Sequence, residues 1–71
     1  MTAALRVAVV GCGAIGSVVA AELRDGHVAG AELTGVVDPN GAPGLPLVDL
    51  ATAIAGADLV VECAGLSVLA A

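Results

Sequence analysis

A glycine-rich hexapeptide, GCGAIG at positions 11–16, constrains the fold of this 71-residue chain more than any other feature. It directly follows the apolar run Leu5–Val10 (LRVAVV), which is typical of a parallel strand buried on both faces. A helical pattern starts inside the hexapeptide, so the glycines join a strand to a helix. In that context Gly11 permits a tight turn, Gly13 lets a phosphate approach the backbone, and Gly16 lets the helix pack closely on the strand.

The helix predicted after this loop covers residues 14–25, and Gly26 is its predicted C-terminal stop. The apolar stripe that we expect to face the sheet consists of Ile15, Val18, Val19, Ala20, Ala21 and Leu23. The N-terminus of such a helix offers unpaired N–H groups and a partial positive charge, which suit a phosphate without any Lys or Arg.

The rest of the chain alternates strand and helix patterns. The predicted elements are a strand at Leu33–Val37, a very short edge strand at Leu47–Val48, a helix at Leu50–Ala55 capped by Asp49, a strand at Asp58–Cys63 and the start of a helix at Leu66–Ala71. Prolines and glycines in the segment 39–46 exclude the helix that normally follows a second strand.

This order predicts parallel pairing, with the first strand central, the second on one side and Asp58–Cys63 on the other. The predicted fold class is α/β, an incomplete Rossmann-type doubly wound parallel sheet of about three to four strands. We expect residues 1–71 to be one dinucleotide-binding unit, truncated with respect to a full domain and lacking a substrate domain.

Composition removes several classes of function. The chain is 59% hydrophobic, has no aromatic residue and no lysine, and carries a formal net charge of −5. Nucleic-acid binding needs a cationic face and stacking platforms, and we therefore expect none. The sequence has no uninterrupted apolar stretch long enough to predict a membrane span, and its N-terminus does not fit a signal peptide. We therefore expect a cytoplasmic protein. The apolar fraction of this short chain is typical of a protein with a larger core. We therefore expect its excess apolar surface to be covered by a second domain or in a homo-oligomer.

Asp38 is the second half of the nucleotide-binding pattern. It lies 22 residues after Gly16, where the second strand ends. A carboxylate there accepts hydrogen bonds from ribose hydroxyls and repels a 2′-phosphate, which predicts NAD as cofactor, with NADP as the alternative. In the alternative interpretation the glycines are ordinary turn residues and Asp38 caps a turn before Pro39.

The strand Asp58–Cys63 ends at the same edge as the glycine loop, and dinucleotides lie in such crevices of open α/β sheets. The predicted cofactor-binding residues are Gly11, Cys12, Gly13, Ala14, Ile15, Gly16, Asp38, Cys63, Ala64 and Gly65. Glu62 is interpreted as a structural or solvated acid.

No catalytic or metal-binding residue is predicted within the chain. Cys12 and Cys63 are interpreted as small buried hydrophobic residues, or alternatively as a redox-sensitive pair of thiols. His27, Arg6 and Arg24 are expected at the surface. Because no general base is expected near the crevice, we expect the chain alone to turn over no substrate.

Three segments, VAVVGCGAIGSVVAAEL, LTGVVD and DLVVECAG, together resemble the N-terminal NAD(P)-binding domain of L-aspartate dehydrogenases. The segment VVDPN also resembles the glucose–fructose oxidoreductase and inositol dehydrogenase superfamily, and dihydrodipicolinate reductases have similar N-termini. The first resemblance implies oxidative deamination of L-aspartate through iminoaspartate, with NAD or NADP, and the imine can feed NAD biosynthesis.

The catalytic histidine and substrate-carboxylate ligands of that family lie in a later domain, and no residue of this chain matches them. Only the glycine loop, Asp38 and the ECAG segment at 62–65 correspond, whereas the missing helix after Asp38 departs from the family. A small-molecule substrate would therefore bind through a second domain. The alternatives are a sugar or polyol dehydrogenase, a non-catalytic NAD-binding regulatory module, and a degenerate fragment without a ligand.

Overall fold

Three parallel strands in one open sheet and two helices make up the described part of the chain. The computed structural model describes residues 3–11 and 13–63. In chain order the elements are strand β1 (Leu5–Val10), helix α1 (Ala14–Arg24), strand β2 (Ala31–Val37), helix α2 (Leu50–Gly56) and strand β3 (Leu59–Glu62). The predicted α/β class is confirmed, and the arrangement is that of an incomplete Rossmann-like fold. The helix predicted from Leu66 lies outside the described residues.

The strand order is β2-β1-β3, so β1 is central as predicted. Val10 at the end of β1 lies opposite Val37 of β2 and Glu62 of β3, so that all three strands end on one rung. The register of β1 and β2 shifts by one residue after Val7. There the Thr34 hydroxyl donates to the Val7 carbonyl oxygen at 3.2 Å, which gives that carbonyl a partner within the irregularity.

Helix α1 buries a narrower face than its sequence pattern predicts. The core beside it contains Val7 and Val9 of β1, Val36 of β2, and Ala20 and Leu23 of α1. The predicted stripe is wrong for two members, since Ile15 is 75% exposed and Val18 is 61% exposed. The buried positions are Gly16, Ala20 and Leu23, which recur at helical spacing. Because α1 approaches the sheet closely at Gly16, the helix face with Gly16, Ala20 and Leu23 packs on the sheet. Ile15 and Val18 lie outside that face and are exposed to solvent.

Gly26 ends α1 as predicted. Its φ of +77° is in the left-handed region, and its N–H donates to the Leu23 carbonyl at 3.2 Å. The N–H of His27 donates to the Glu22 carbonyl at 2.9 Å. These two bonds form a Schellman motif, which satisfies carbonyls that the helix end would otherwise leave unpaired.

The central strand is covered on its other face as well. Ala8 is fully buried although it points away from Val7 and Val9, and Ala53 of α2 is also buried. Asp49 caps α2 as predicted, because its carboxylate accepts the Thr52 N–H at 2.7 Å. No helix within residues 3–11 and 13–63 is long and apolar enough to cross a membrane.

The segment between β2 and α2 is a turn followed by a short return to the sheet. The Gly41 N–H donates to the Asp38 carbonyl at 3.1 Å, in the predicted turn. Leu47 then forms an isolated parallel bridge with Val36, in place of the short strand predicted at 47–48. The Val36 N–H donates to the Pro46 carbonyl at 2.8 Å, and the Val48 N–H donates to the Val36 carbonyl at 2.9 Å.

Candidate functional site

The carboxyl edge of the sheet brings three of the predicted site residues into one row. Gly11, Asp38 and Cys63 each follow the last paired residue of their strand. The Gly11 N–H donates to the Val37 carbonyl at 2.8 Å, and the Cys63 N–H donates to the Val10 carbonyl at 2.8 Å. These bonds fix the row, so that residues far apart in sequence meet at the edge where ligands bind in open α/β sheets.

The glycine loop turns sharply and brings α1 down onto the sheet. Gly11 has φ of +85°, a conformation that disfavours side chains with a Cβ. A Cβ added to Gly16 would overlap the Gly11 carbonyl oxygen and would lie 3.1 Å from the Cys63 Cβ. The predicted role of Gly16 in close helix–strand packing is therefore confirmed.

Gly13 differs from Gly16, because the fold does not need a glycine there. Its φ of −72° and ψ of −157° are open to other residues. A Cβ added to Gly13 would have no atom of the described residues within 4 Å. Among residues 3–11 and 13–63 nothing fills the space above Gly13, which leaves the backbone there accessible to a ligand.

The N-terminus of α1 faces this open space. The first intrahelical bond runs from the Ser17 N–H to the Gly13 carbonyl at 2.9 Å, and Gly13 has no side chain with which to cap the helix. The amides of Ala14, Ile15 and Gly16 precede that bond and belong to the first turn, whose N–H groups have no partner within the helix. Such a terminus favours anions.

The Asp38 carboxylate has a structural contact in addition to its place at the edge. Its Oδ1 atom accepts the Asn40 N–H at 2.8 Å, which is an Asx turn. The alternative role predicted for Asp38, capping a turn before Pro39, is therefore present in the structure. The same side chain also lines an open groove beside the end of β2.

This groove has a volume of about 560 Å³, and its lining consists of Val37, Asp38, Pro39, Leu47, Val48, Asp49 and Leu50. Most of these residues are apolar, and Leu47 and Leu50 are 52% and 51% exposed. The two polar lining residues are the carboxylates Asp38 and Asp49. Apolar walls suit a flat aromatic ring, and the acids beside them suit the hydroxyl groups of a sugar attached to that ring.

Sequence reasoning missed residues 47–50 as part of the site. The signal was present, because Asp49 directly follows the short apolar pair Leu47–Val48 just as Asp38 directly follows β2. Once Leu47 pairs in parallel with Val36, both acids come after chain segments that run toward the same edge.

The cationic side chains of the chain lie outside this groove. Arg6, in the first half of β1, pairs with Asp58 at 3.0 Å. Arg24 pairs with Asp25 at 2.9 Å and donates to the Gly44 carbonyl at 3.3 Å. Both arginines are exposed as predicted, and hydrogen bonding to the arginine lowers the pKa of its carboxylate partner. With only two arginines and no lysine in the sequence, the groove has no Lys or Arg in its lining.

The remaining predicted residues are distributed as follows. Cys63 is half-buried and Glu62 is exposed at the end of β3. His27 is exposed, and its Nδ1 lies 3.0 Å from Glu22 Oε2 beyond the C-terminus of α1. Cys12, Ala64 and Gly65 lie outside the described residues. Within residues 3–11 and 13–63 no group of three or more His, Cys, Asp or Glu side chains is arranged to hold a metal ion.

No protein-family model matches this chain, and no curated protein or solved structure is significantly similar to it.

Proposed function

We propose that this chain is the NAD(H)-binding part of an NAD-dependent dehydrogenase. The observation that carries the proposal is the open space over Gly13, at a helix N-terminus that packs tightly on the sheet through Gly16. A Cβ added at Gly56 would also meet no described atom, so space alone does not identify a site. Gly13 differs from Gly56 because it lies at the N-terminus of α1, where a pyrophosphate would approach the backbone closely.

Each part of the dinucleotide has a counterpart among the described residues. The amides at Gly13–Ile15 would bind the pyrophosphate, for which the helix N-terminus needs no Lys or Arg. Asp38 would accept hydrogen bonds from the adenosine ribose, and the adjoining groove would hold the adenine ring between Pro39 and Leu47. The nicotinamide half would extend toward Cys63. When bound, the cofactor supplies hydride transfer, and the protein supplies its position.

The reaction that we propose for the dehydrogenase is oxidative deamination of L-aspartate, and its support is the resemblance of three chain segments to L-aspartate dehydrogenases. A sugar or polyol dehydrogenase is the related alternative, supported by VVDPN at 36–40. The catalytic base and the cations that hold a dicarboxylate would come from a second domain, in a cytoplasmic homo-oligomer.

One observation favours a second candidate, a non-catalytic NAD-binding regulatory module. The sequence has no lysine, and its one histidine is paired with Glu22 beyond the C-terminal end of α1. Histidine is the side chain that serves most often in general acid–base catalysis, and it must lie within hydrogen-bond reach of the substrate to do so. The two candidates differ in turnover. We expect NADH formation from L-aspartate in the dehydrogenase and cofactor binding alone in the regulatory module.

Calorimetric titration with NAD⁺ tests the binding proposal, and the chain offers a matched pair of variants. A Cβ added at Gly13 or at Gly56 meets no atom within 4 Å in the described part of the chain, but only Gly13 lies at the proposed pyrophosphate site. We expect Gly13→Ala to weaken NAD⁺ binding at least about tenfold, because the added methyl keeps the pyrophosphate from the backbone. Gly56→Ala should bind like the wild type. Equal affinity of the two variants, or no binding by the wild type, would refute the proposal.

A further inference from the structure

Two carboxylates line the groove beside the end of β2, and they come from different segments of the chain. Asp38 follows β2, whereas Asp49 follows the Leu47 bridge on the other side of the turn. Discrimination between NAD and NADP through a single acid after the second strand would involve Asp38 alone. Asp49 belongs to the same groove through tertiary pairing and has no part in that pattern.

We propose that Asp49 is a second specificity-determining residue, which excludes 2′-phosphorylated adenosine from this groove together with Asp38. The inference rests on the proposed NAD(H) site and adds a residue to it. Its consequence is that removing the Asp38 charge alone leaves the protein selective for NAD.

The local structure keeps the Asp49 charge in place. Its Oδ1 atom accepts the Thr52 N–H at 2.7 Å, so the side chain is held at the start of α2. The same hydrogen bond lowers the pKa of Asp49, because it stabilises the ionised form. The residue is therefore an anion at neutral pH. Since the Thr52 amide is already used, that donor is not free to bind a phosphate.

The groove offers no compensating cation. Arg6 and Arg24 are each paired with an aspartate outside the groove lining, and the sequence has no lysine. A 2′-phosphate adds a charge of about −2 to the ligand. At a separation of about 8 Å in water, its repulsion by one carboxylate weakens binding about fivefold at low ionic strength. The effect should decline as salt screens it.

Charge-only variants test this proposal without removing the cap. Asn caps a helix as well as Asp, so Asp49→Asn keeps the start of α2 and removes only the charge. Asp38→Asn likewise keeps an oxygen for the Asx turn. Glu32→Gln is the control, because it makes the same change in net charge at an exposed position near the start of β2. Asp38 lies six positions further along the chain, about 20 Å away, where the repulsion between one carboxylate and a 2′-phosphate in water changes binding about twofold at most.

The measurement is the Kd of the full 71-residue chain for NAD⁺ and for NADP⁺, at low and at high NaCl. We expect Asp49→Asn to tighten NADP⁺ binding about fivefold at low salt, with little change for NAD⁺ and a smaller gain at high salt. The double variant with Asp38→Asn should gain most, and Glu32→Gln should change NADP⁺ binding about twofold at most.

An Asp49→Asn variant with an unchanged ratio of the two affinities would overturn the inference while leaving the proposed site intact. A gain that is the same at low and high salt would also overturn it, because a steric or structural effect does not depend on ionic strength. A wild-type chain that binds neither cofactor would contradict the proposed function, and this inference with it.

Discussion

Replacing Gly16 by alanine tests whether α1 approaches the sheet as closely as described. In most helices an alanine is favoured over glycine by up to about 1 kcal/mol, because it restricts the unfolded backbone. At Gly16 the new methyl would overlap the Gly11 carbonyl oxygen, and it would lie 3.0 Å from the Gly11 carbonyl carbon. Both are backbone atoms of the turn that joins β1 to α1, so no side-chain rotation can relieve the overlap.

The overlap should outweigh the gain in propensity. Forcing an extra carbon into a packed site typically costs about 1–3 kcal/mol. After subtraction of the propensity gain, we expect Gly16→Ala to lose about 1–2 kcal/mol of unfolding free energy. That is a large share for a 71-residue chain, whose total stability is expected at roughly 4–10 kcal/mol.

Urea denaturation followed by far-ultraviolet circular dichroism is the appropriate assay, because the sequence has no Trp or Tyr for intrinsic fluorescence. Gly56→Ala in α2 is the control, since its added Cβ meets no atom within 4 Å and it should be as stable as the wild type or slightly more so. A Gly16→Ala midpoint equal to or above that of the wild type would refute the close approach of α1 to the turn.

Two further predictions concern the core and the surface charges. Val36 is fully buried, so Val36→Ala should lose about 2–3 kcal/mol of unfolding free energy in the same assay. Val60 is partly exposed, so Val60→Ala should lose less than about 1 kcal/mol. Equal losses in the two variants would contradict the described core. The Arg6 guanidinium lowers the pKa of Asp58, so its stabilising effect is present above the ordinary pKa of about 4 and is lost as the pH falls through the lower value in the folded state. Between pH 5 and pH 3 the urea midpoint of Asp58→Asn should therefore fall less than that of the wild type, and a parallel fall of both midpoints would show that this pair does not titrate with folding.

Local signals in the sequence were enough to predict most of the fold. Gly26 and Asp49 were correctly predicted as the end of α1 and the cap of α2, because capping depends on residues within one turn of the helix. The central position of β1 also followed from the sequence, since alternating strands and helices leave few ways to connect a parallel sheet.

The sequence did not predict the buried face of α1 or the groove beside β2, because both depend on tertiary contacts between elements. Ile15 and Val18 fit an apolar stripe by spacing alone, but the buried face is set by the approach at Gly16, which hydropathy does not report. The groove was missed for a similar reason. The sequence shows that Asp49 follows a short apolar pair, but it does not show that Leu47 pairs with Val36, which is what brings Asp49 beside Asp38.

The central position of β1 also has a consequence for how the chain acquires its structure. β1 is synthesised first, yet one of its two partners, β3, is the last strand in the described part of the chain. Arg6 and Asp58, which pair where β1 and β3 begin, are 52 residues apart in sequence. Closing so long a loop is entropically unfavourable before the contacts form, so folding should be slow for a chain of this size. Until residues 59–62 leave the ribosome, one edge of the most apolar strand has no partner, and this is the stage at which the nascent chain is most exposed to aggregation.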